Sequence, residues 1–291
     1  MGIPIPMNNT FRFILVAAIL VSRLLGSDFQ DRLGLQLYSL RAQAKESTTG
    51  ALDLAQSYGV KEVEVAGTGS LKPDEYVSEL KKRSLSPVSG HFGYGLFEKD
   101  INAVITEAKA LGLKYVVVPY PPVSKTKPFS EEMAHSMAAK FNEWGATCKK
   151  AGLMFGYHPH GLEFRETAAG KGETMFDLLV RETQPDLVTY QMDVYWVFIT
   201  GIDPAALLAK YPNRFSMLHI KDMLKDFQRG THTGGSPAMA KVAVGDGQIN
   251  WKEVLSAAQK IGVKHYFLED ETMFPLRSIP ESFKYLRGLK L

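Results

Sequence analysis

Four residues with metal-binding side chains stand in the second half of the chain, each at the end of a short run rich in β-forming residues. They are His158, Asp193, His219 and Glu269. Two imidazoles and two carboxylates make a mixed nitrogen and oxygen donor set that suits a divalent cation and leaves room for substrate oxygens. The set predicts a metal site, and it does not choose among Mn²⁺, Co²⁺, Fe²⁺, Zn²⁺ and Mg²⁺.

Further polar residues accompany these four and can move protons. Strand side chains alternate between two faces, so a residue two positions beyond a ligand lies on the same side. This rule adds one residue after each of the fifth, seventh and eighth strands, and a carboxylate follows in the loop after the fifth strand. The candidate acids and bases are His160, Glu163, Lys221 and Glu271.

The ends of the earlier strands carry polar side chains that can bind substrate hydroxyls. Gln36 lies on the first strand, and Glu64 and His91 lie at the ends of the second and third. They face the same mouth if the strand register is regular. Trp196, just past the sixth strand, is expected to form an apolar wall against a sugar ring.

A cation at such a site polarises a ketone or a vicinal hydroxyl and lowers the pKa of the adjacent C–H bond. It also stabilises the enediolate that forms when a base removes the proton. The fate of the carbanion then sets the reaction. Reprotonation gives an epimer or an isomer, and loss of a β-substituent gives dehydration or glycoside cleavage.

The elements that position these residues repeat one pattern, in which an amphipathic segment ends at a glycine and a β-rich run follows. Glycine closes a helix in the left-handed conformation, so the pattern predicts βα units. Pro73 and Ser130 mark two helix starts, each followed by acidic residues. The clearest copies of the junction contain Gly59, Gly112, Gly152 and Gly262.

Eight such strands are expected. They cover residues 34–38, 62–66, 88–92, 115–119, 154–158, 189–193, 216–220 and 265–269. Eight alternating units in about 255 residues predict a single-domain (β/α)₈ TIM barrel over residues 28–291. An open doubly wound sheet is the alternative, but the first strand is not followed by the glycine-rich phosphate loop typical of that fold.

The N-terminus differs from the rest of the chain. Arg12 precedes an apolar run at 13–21, and the small residues Gly26 and Ser27 follow. This layout predicts a signal peptide over residues 1–27, too short for a stable membrane span, and export to a bacterial periplasm or beyond. If the segment is only an N-terminal extension, the protein is cytoplasmic.

The connection at 221–250 is about thirty residues long and carries five glycines. Loops of this length are uncommon unless they form a lid or a binding loop. Its place after the seventh strand predicts that it covers the site.

Five segments resemble the xylose-isomerase-like TIM-barrel family, whose members are often called sugar phosphate isomerases/epimerases. They are LGLQLYSLR at 33–41, YHPHGLEF at 157–164, MDVYW at 192–196, LHIKD at 218–222 and GDGQINW at 245–251. The resemblance covers roughly residues 33–291. It implies a metal site of Glu, Asp, His and Glu on strands five to eight, used on keto and hydroxyl groups of sugars or cyclitols.

The fifth strand departs from this pattern, because His158 stands where sugar epimerases usually carry a Glu. The His-x-His arrangement is closer to the inosose-dehydratase-like branch, so the two-carboxylate epimerase mechanism does not transfer directly. The leading hypothesis is a metal-dependent isomerase or epimerase of a sugar or sugar derivative. The alternatives are a lyase or dehydratase of a keto-sugar or inosose, and a non-catalytic carbohydrate-binding barrel.

The charge balance excludes other partners. With 34 basic and 31 acidic residues, the chain has a net charge of +3 and no basic run that would track nucleic acid. An endonuclease-IV-like phosphodiesterase would need a basic groove and more metal ligands. A small-molecule carbohydrate or cyclitol is therefore the expected partner, and a homo-oligomer is compatible with the sequence.

Overall fold

Eight parallel strands close into a barrel, in which the first strand pairs with both the second and the eighth. The computed structural model describes residues 29–291, so the predicted signal peptide at 1–27 lies outside the described residues. The strands are β1 Leu33–Gln36, β2 Glu62–Val65, β3 Ser86–His91, β4 Tyr115–Val118, β5 Met154–Tyr157, β6 Val188–Asp193, β7 Phe215–Ile220 and β8 His265–Leu268. The predicted (β/α)₈ barrel is confirmed.

Helices surround the barrel and bury their apolar faces against it. Two begin as the sequence predicts, at Pro73 and after Ser130, whose hydroxyl accepts a hydrogen bond from the Met133 amide. The α-helices are Arg41–Glu46, Thr48–Ser57, Pro73–Lys82, Tyr94–Ala110, Glu131–Lys150, Met175–Glu182, Val194–Phe198, Pro204–Lys210, Trp251–Lys260 and Pro275–Gly288. Within residues 29–291, none of the helices is both long and apolar enough to cross a membrane.

The predicted helix-glycine-strand junctions are present in the structure. The four glycines have φ between +71° and +82°, a conformation that L-residues with a side chain adopt at a cost. They are Gly59, Gly112, Gly152 and Gly262. Each therefore ends a helix and sends the chain into the next buried strand.

The barrel interior is filled by an apolar cluster separate from the outer core. Met217 and Phe267 belong to it. Met217 Sδ lies 3.8 Å from Gln191 Nε2, and the Phe267 ring centroid lies 6.4 Å from that of His219. The cluster thus supports the polar side chains nearer the carboxyl ends of the strands, where TIM barrels place their active sites.

The long connection after β7 is tied down at its base. Asp222–Met223 and Lys241–Val242 form a short antiparallel ribbon. The buried Asp222 carboxylate accepts hydrogen bonds from the Gly245 amide at 2.9 Å and from Trp251 Nε1 at 2.8 Å. The connection also reaches the segment after β6, where Tyr195 Oη donates to Ser236 Oγ at 2.7 Å.

Candidate metal and substrate site

Three of the predicted metal ligands converge at the mouth of the barrel. Asp193 ends β6, His219 lies directly opposite it on β7, and Glu269 follows β8. Their donor atoms all lie within 4.8 Å of one another, and the three residues are buried. The parallel register of adjacent strands therefore brings together two carboxylates and one imidazole from distant parts of the sequence.

One oxygen of this group fits a cation particularly well. Asp193 Oδ1 accepts a hydrogen bond from the Trp196 amide, but the buried Oδ2 accepts none. Lys221 Nζ lies 3.1 Å from Oδ2 without forming a hydrogen bond. Because this buried oxygen has an ion-pair partner but accepts no hydrogen bond, its lone pairs suit a divalent cation.

His158, the fourth predicted ligand, faces the same space from the segment after β5. Its Nε2 lies 3.8 Å from Asp193 Oδ2, and its Nδ1 lies 2.9 Å from Gln191 Oε1. An amide oxygen only accepts hydrogen bonds, so Nδ1 carries the hydrogen and Nε2 presents its lone pair towards Asp193. The His158 side chain is thus oriented as a metal ligand would be.

His219 is oriented in the same way by Glu64. His219 Nε2 lies 2.5 Å from Glu64 Oε2, and Nδ1 lies 3.2 Å from Glu269 Oε2. Burial opposes ionisation of Glu64, but the His91 and His219 rings outweigh it and lower the pKa of Glu64 to about 2. Burial opposes protonation of His219, but Glu64 and Glu269 outweigh it and raise the pKa of His219 to about 10, so both ring nitrogens donate, Nε2 to Glu64 and Nδ1 to Glu269. A cation bound at Nδ1 would take the place of the Nδ1 proton, with Nε2 still held by Glu64.

Glu64 has no capacity left for a substrate hydroxyl. It is fully buried, and besides His219 it accepts hydrogen bonds from three other side chains. These donors are Gln36 Nε2 at 2.6 Å, Ser89 Oγ at 2.6 Å and Gln191 Nε2 at 2.7 Å. The placement of Gln36 and Glu64, both predicted to bind substrate, supports a role in holding the histidines instead.

Sequence reasoning missed Gln191, which links the two predicted histidine ligands. Its amide oxygen faces His158 and its amide nitrogen donates to Glu64, the partner of His219. The signal was available, since Gln191 lies two residues before Asp193 on the same face of β6.

Lys221 places its ammonium group among the site's carboxylates. Nζ lies 2.6 Å from Glu269 Oε2 and 2.7 Å from Glu271 Oε2, in addition to its contact with Asp193. Burial opposes the charge on Lys221, but these carboxylates raise its pKa well above the ordinary value. A cation bound by Asp193 and Glu269 would therefore leave Lys221 paired with Glu271.

Glu271 stays ionised beside two lysines. Burial opposes ionisation, but Lys221 and Lys241 lower the pKa of Glu271 below its ordinary value. Lys241 comes from the long connection after β7, and its Nζ lies 3.5 Å from Glu271 Oε2. Sequence reasoning missed Lys241, because strand parity says nothing about a side chain delivered by a loop.

His160 and Trp196 border the site on the side of β5 and β6. Their ring centroids lie 5.2 Å apart, and the Trp196 ring lies 5.7 Å from Lys221 Nζ. Burial and the charge of Lys221 lower the pKa of His160 to about 3, so this imidazole is neutral at physiological pH. Its buried Nδ1 forms no hydrogen bond.

Glu163 lies behind His160. It is fully buried and accepts hydrogen bonds from Tyr157 Oη and from the His160 amide. Burial raises the pKa of Glu163 to about 7, although these hydrogen bonds oppose the shift. Its contacts support a role in holding the turn that carries His160.

A cavity of about 320 Å³ opens at the barrel mouth, at the small end of the range typical of small-molecule sites. It brings together metal-binding and proton-transfer candidates from β3, β5, β7 and β8. The lining residues are Tyr38, Ala66, His91, Pro119, Tyr120, His158, His160, Lys221, Glu269 and Glu271.

A family model described as xylose isomerase-like TIM barrel matches residues 52–289. The chain belongs to this family. Its curated relatives include an inosose dehydratase from Clostridium tetani, 27% identical over 169 residues. That alignment covers 55% of this chain and 54% of the relative, so the chain spans about half the length of that relative.

Solved structures show the same xylose isomerase-like barrel. A sugar phosphate isomerase/epimerase from Parabacteroides distasonis is 26% identical, with a TM-score of 0.69 over 88% of this chain and 93% of that chain. The IolI protein with a bound zinc atom is 17% identical, with a TM-score of 0.67 over 88% and 95% of the two chains. At that identity the likeness to IolI shows the fold alone.

Proposed function

We propose that this xylose isomerase-like barrel is a metal-dependent lyase. It would remove the proton next to the carbonyl of a keto sugar or keto cyclitol and then expel the β-substituent. The observation that carries the proposal is the Lys221–Glu271 pair, which faces the cavity on the β7 and β8 side. The β5 side presents neutral His160, while Glu163 is buried behind it.

The distribution of carboxylates favours elimination over epimerisation. An epimerase that works on both faces of an enediolate uses opposed carboxylates from the fifth and eighth strands. Among the described residues that line this cavity, the carboxylates are Glu269 and Glu271, both after β8. The inosose dehydratase among the relatives supports the same reaction class.

The metal would be held by His158, Asp193, His219 and Glu269. Three observations support this set: Asp193 Oδ2 accepts no hydrogen bond, Gln191 aims the Nε2 lone pair of His158 into the site, and Glu64 holds Nε2 of His219 so that its Nδ1 faces Glu269. A divalent cation supplies Lewis-acid polarisation of the substrate carbonyl and neutralises the negative charge on the enolate.

The chain's own residues would move the protons. Glu271 accepts the proton from the carbon next to the carbonyl, and the electron pair forms the C=C bond as the β carbon–oxygen bond breaks. Lys221 donates a proton to the departing oxygen. Because Lys221 Nζ lies 2.7 Å from Glu271 Oε2, the proton on Glu271 can pass to Lys221 and restore both groups.

The test is incubation of the metal-loaded protein with inososes and 3-keto-glycosides in D₂O, followed by NMR. Elimination product supports the lyase, and Glu271→Gln should reduce its formation at least 100-fold. Glu281→Gln, at an exposed helix position, is the matched control. Absence of both elimination and deuterium exchange with every substrate would overturn the proposal.

Epimerisation is the second candidate, favoured by the structural likeness to the Parabacteroides distasonis isomerase/epimerase. It shares the first proton transfer and differs in the second. Deuterium exchange at the carbon next to the carbonyl, without elimination, would select it over the lyase.

A further inference from the structure

A second cavity adjoins the reaction cavity on the side of β1 and β2. It has a volume of about 250 Å³ and lies between the turn after β1 and the helices Arg41–Glu46, Thr48–Ser57 and Pro73–Lys82. Tyr38 and Ala66 line both cavities. We call the second one the side cavity.

The side cavity is largely apolar, with charge at its rim. Leu52 and Tyr76 are buried in its wall, and Arg41 and Lys45 stand at its edge. These side chains fit an apolar ring whose outer edge carries polar groups, because apolar area is best removed from water by apolar walls.

Tyr38 lies at the boundary between the two cavities, and its backbone and ring are held by neighbouring residues. The Arg41 guanidinium lies 4.5 Å from the centroid of the Tyr38 ring, and Arg41 Nη1 donates to the Tyr38 carbonyl at 3.0 Å. Gln36 Oε1 accepts a hydrogen bond from the Tyr38 amide at 3.0 Å. The ring is 43% exposed, so a molecule that spans both cavities would contact it.

The size of the side cavity argues that its occupant is part of a larger molecule. Its volume falls below the roughly 300–1,000 Å³ typical of independent small-molecule sites. The reaction cavity is itself little larger than that lower limit. Because Tyr38 and Ala66 line both, the two cavities are adjacent. One molecule can therefore place its reacting ring in the reaction cavity and a substituent in the side cavity.

We propose that the side cavity is a subsite for an apolar, ring-shaped substituent carried by the keto sugar or keto cyclitol. This inference rests on the proposed function, because it assigns the reacting ring to the neighbouring cavity. The preferred substrate is then a keto sugar or keto cyclitol that carries an apolar ring, rather than a free sugar or cyclitol.

Ala44 offers a variant that fills the side cavity. It is half-buried on the helix Arg41–Glu46 and lines the side cavity but not the reaction cavity. Ala44→Leu should reduce kcat/KM for a 4-nitrophenyl 3-keto-glucoside at least 10-fold, and change that for the methyl 3-keto-glucoside less than 2-fold. Ala42→Leu, at an exposed position of the same helix, is the matched control and should leave both values unchanged. Equal effects of Ala44→Leu on the two substrates would overturn the inference.

A binding measurement separates this inference from the proposed reaction. Calorimetric titration with unoxidised 4-nitrophenyl and methyl glucosides needs no turnover. The 4-nitrophenyl glucoside should bind at least 10-fold more tightly, and Ala44→Leu should remove that advantage. If neither keto-glucoside reacts but this difference is found, the lyase proposal fails and the subsite stands. Equal affinity for the two glucosides would overturn the subsite.

Discussion

Glu64 and His219 lie on strands that do not pair, β2 and β7, and their side chains meet in the barrel interior with Glu64 Oε2 at 2.5 Å from His219 Nε2. Both residues are fully buried. The contact holds Nε2 of His219 as a donor to Glu64, and it leaves Nδ1 facing Glu269. A carboxylate in this position normally orients a metal-binding histidine and raises its basicity.

Glu64→Gln should therefore weaken metal binding without unfolding the protein. Loss of a hydrogen-bonding partner of a ligand typically costs 10–100-fold in metal affinity. The measurement is competition with a chromophoric chelator, with circular dichroism to check the fold.

Glu62→Gln is the control for this variant. Glu62 is also on β2 and also pairs with a histidine, at 2.7 Å from His265 Nδ1, but both residues lie at the amino-terminal ends of their strands. Its metal affinity should stay within 2-fold of the wild type. Equal affinities for Glu64→Gln and the wild type would show that Glu64 does not position His219.

Lys221 should stabilise the metal-free protein. Its ammonium lies within 3.1 Å of carboxylate oxygens of Asp193, Glu269 and Glu271. Lys221→Ala leaves these buried carboxylates without their counter-charge, which we expect to cost about 3 kcal/mol in the free energy of unfolding. Saturating divalent metal should restore much of that loss, because it binds the folded state.

The control for Lys221→Ala is Lys210→Ala. Lys210 is half-exposed and pairs with Asp177 at 2.9 Å, so its removal should cost less than about 1 kcal/mol. Urea unfolding with and without metal measures both variants. Equal losses for the two variants in the metal-free protein would contradict the assigned role of Lys221.

Strand parity was enough to bring the predicted metal ligands together but not to identify the residues behind them. The alternation of faces selected Asp193, His219 and Glu269 as neighbours, and the parallel register of β6 with β7 brings the first two side by side. Strand parity also predicts that Glu64 faces the barrel interior. Parity gives no information on how close to the barrel mouth a residue lies. The sequence therefore could not separate a side chain that contacts substrate from one that supports a ligand.

Loop residues were harder to predict for a different reason. Glu163 and Lys241 lie outside the eight barrel strands, so the direction of each side chain depends on how its connection packs rather than on a fixed period. Glu163 turns back towards Tyr157, whereas Lys241 reaches Glu271. Neither outcome follows from spacing along the chain, because tertiary contacts decide it.

Glu163 should make stability depend on pH between about 4.5 and 7. In that window the folded protein holds the Glu163 proton, because burial raises the pKa to about 7, while the unfolded chain has released it. The unfolded state therefore binds fewer protons, and stability falls as pH rises through the window, by about 3 kcal/mol from this group.

Glu163→Gln removes this contribution while keeping an amide oxygen to accept from the His160 backbone. We expect the free energy of unfolding of the variant to fall less steeply between pH 4.5 and 7 than that of the wild type. Urea titrations at half-unit pH intervals give the comparison. Identical slopes for the two proteins would place the pKa of Glu163 near that of an ordinary glutamate.

Asp222 should hold the long connection in place at the edge of the site. Its buried carboxylate accepts from Trp251 Nε1 and from four backbone amides, among them that of Gly245, so Asp222→Ala leaves five donors without this partner. We expect faster trypsin cleavage at the exposed Lys225, because local opening of the connection costs less free energy. Asp246→Ala, at an exposed position of the same connection, should leave the cleavage rate unchanged.

Since the connection also delivers Lys241 to Glu271, Asp222→Ala should lower kcat as well. Faster cleavage with unchanged kcat would show that opening the base of the connection has no effect on the proposed Lys221–Glu271 pair.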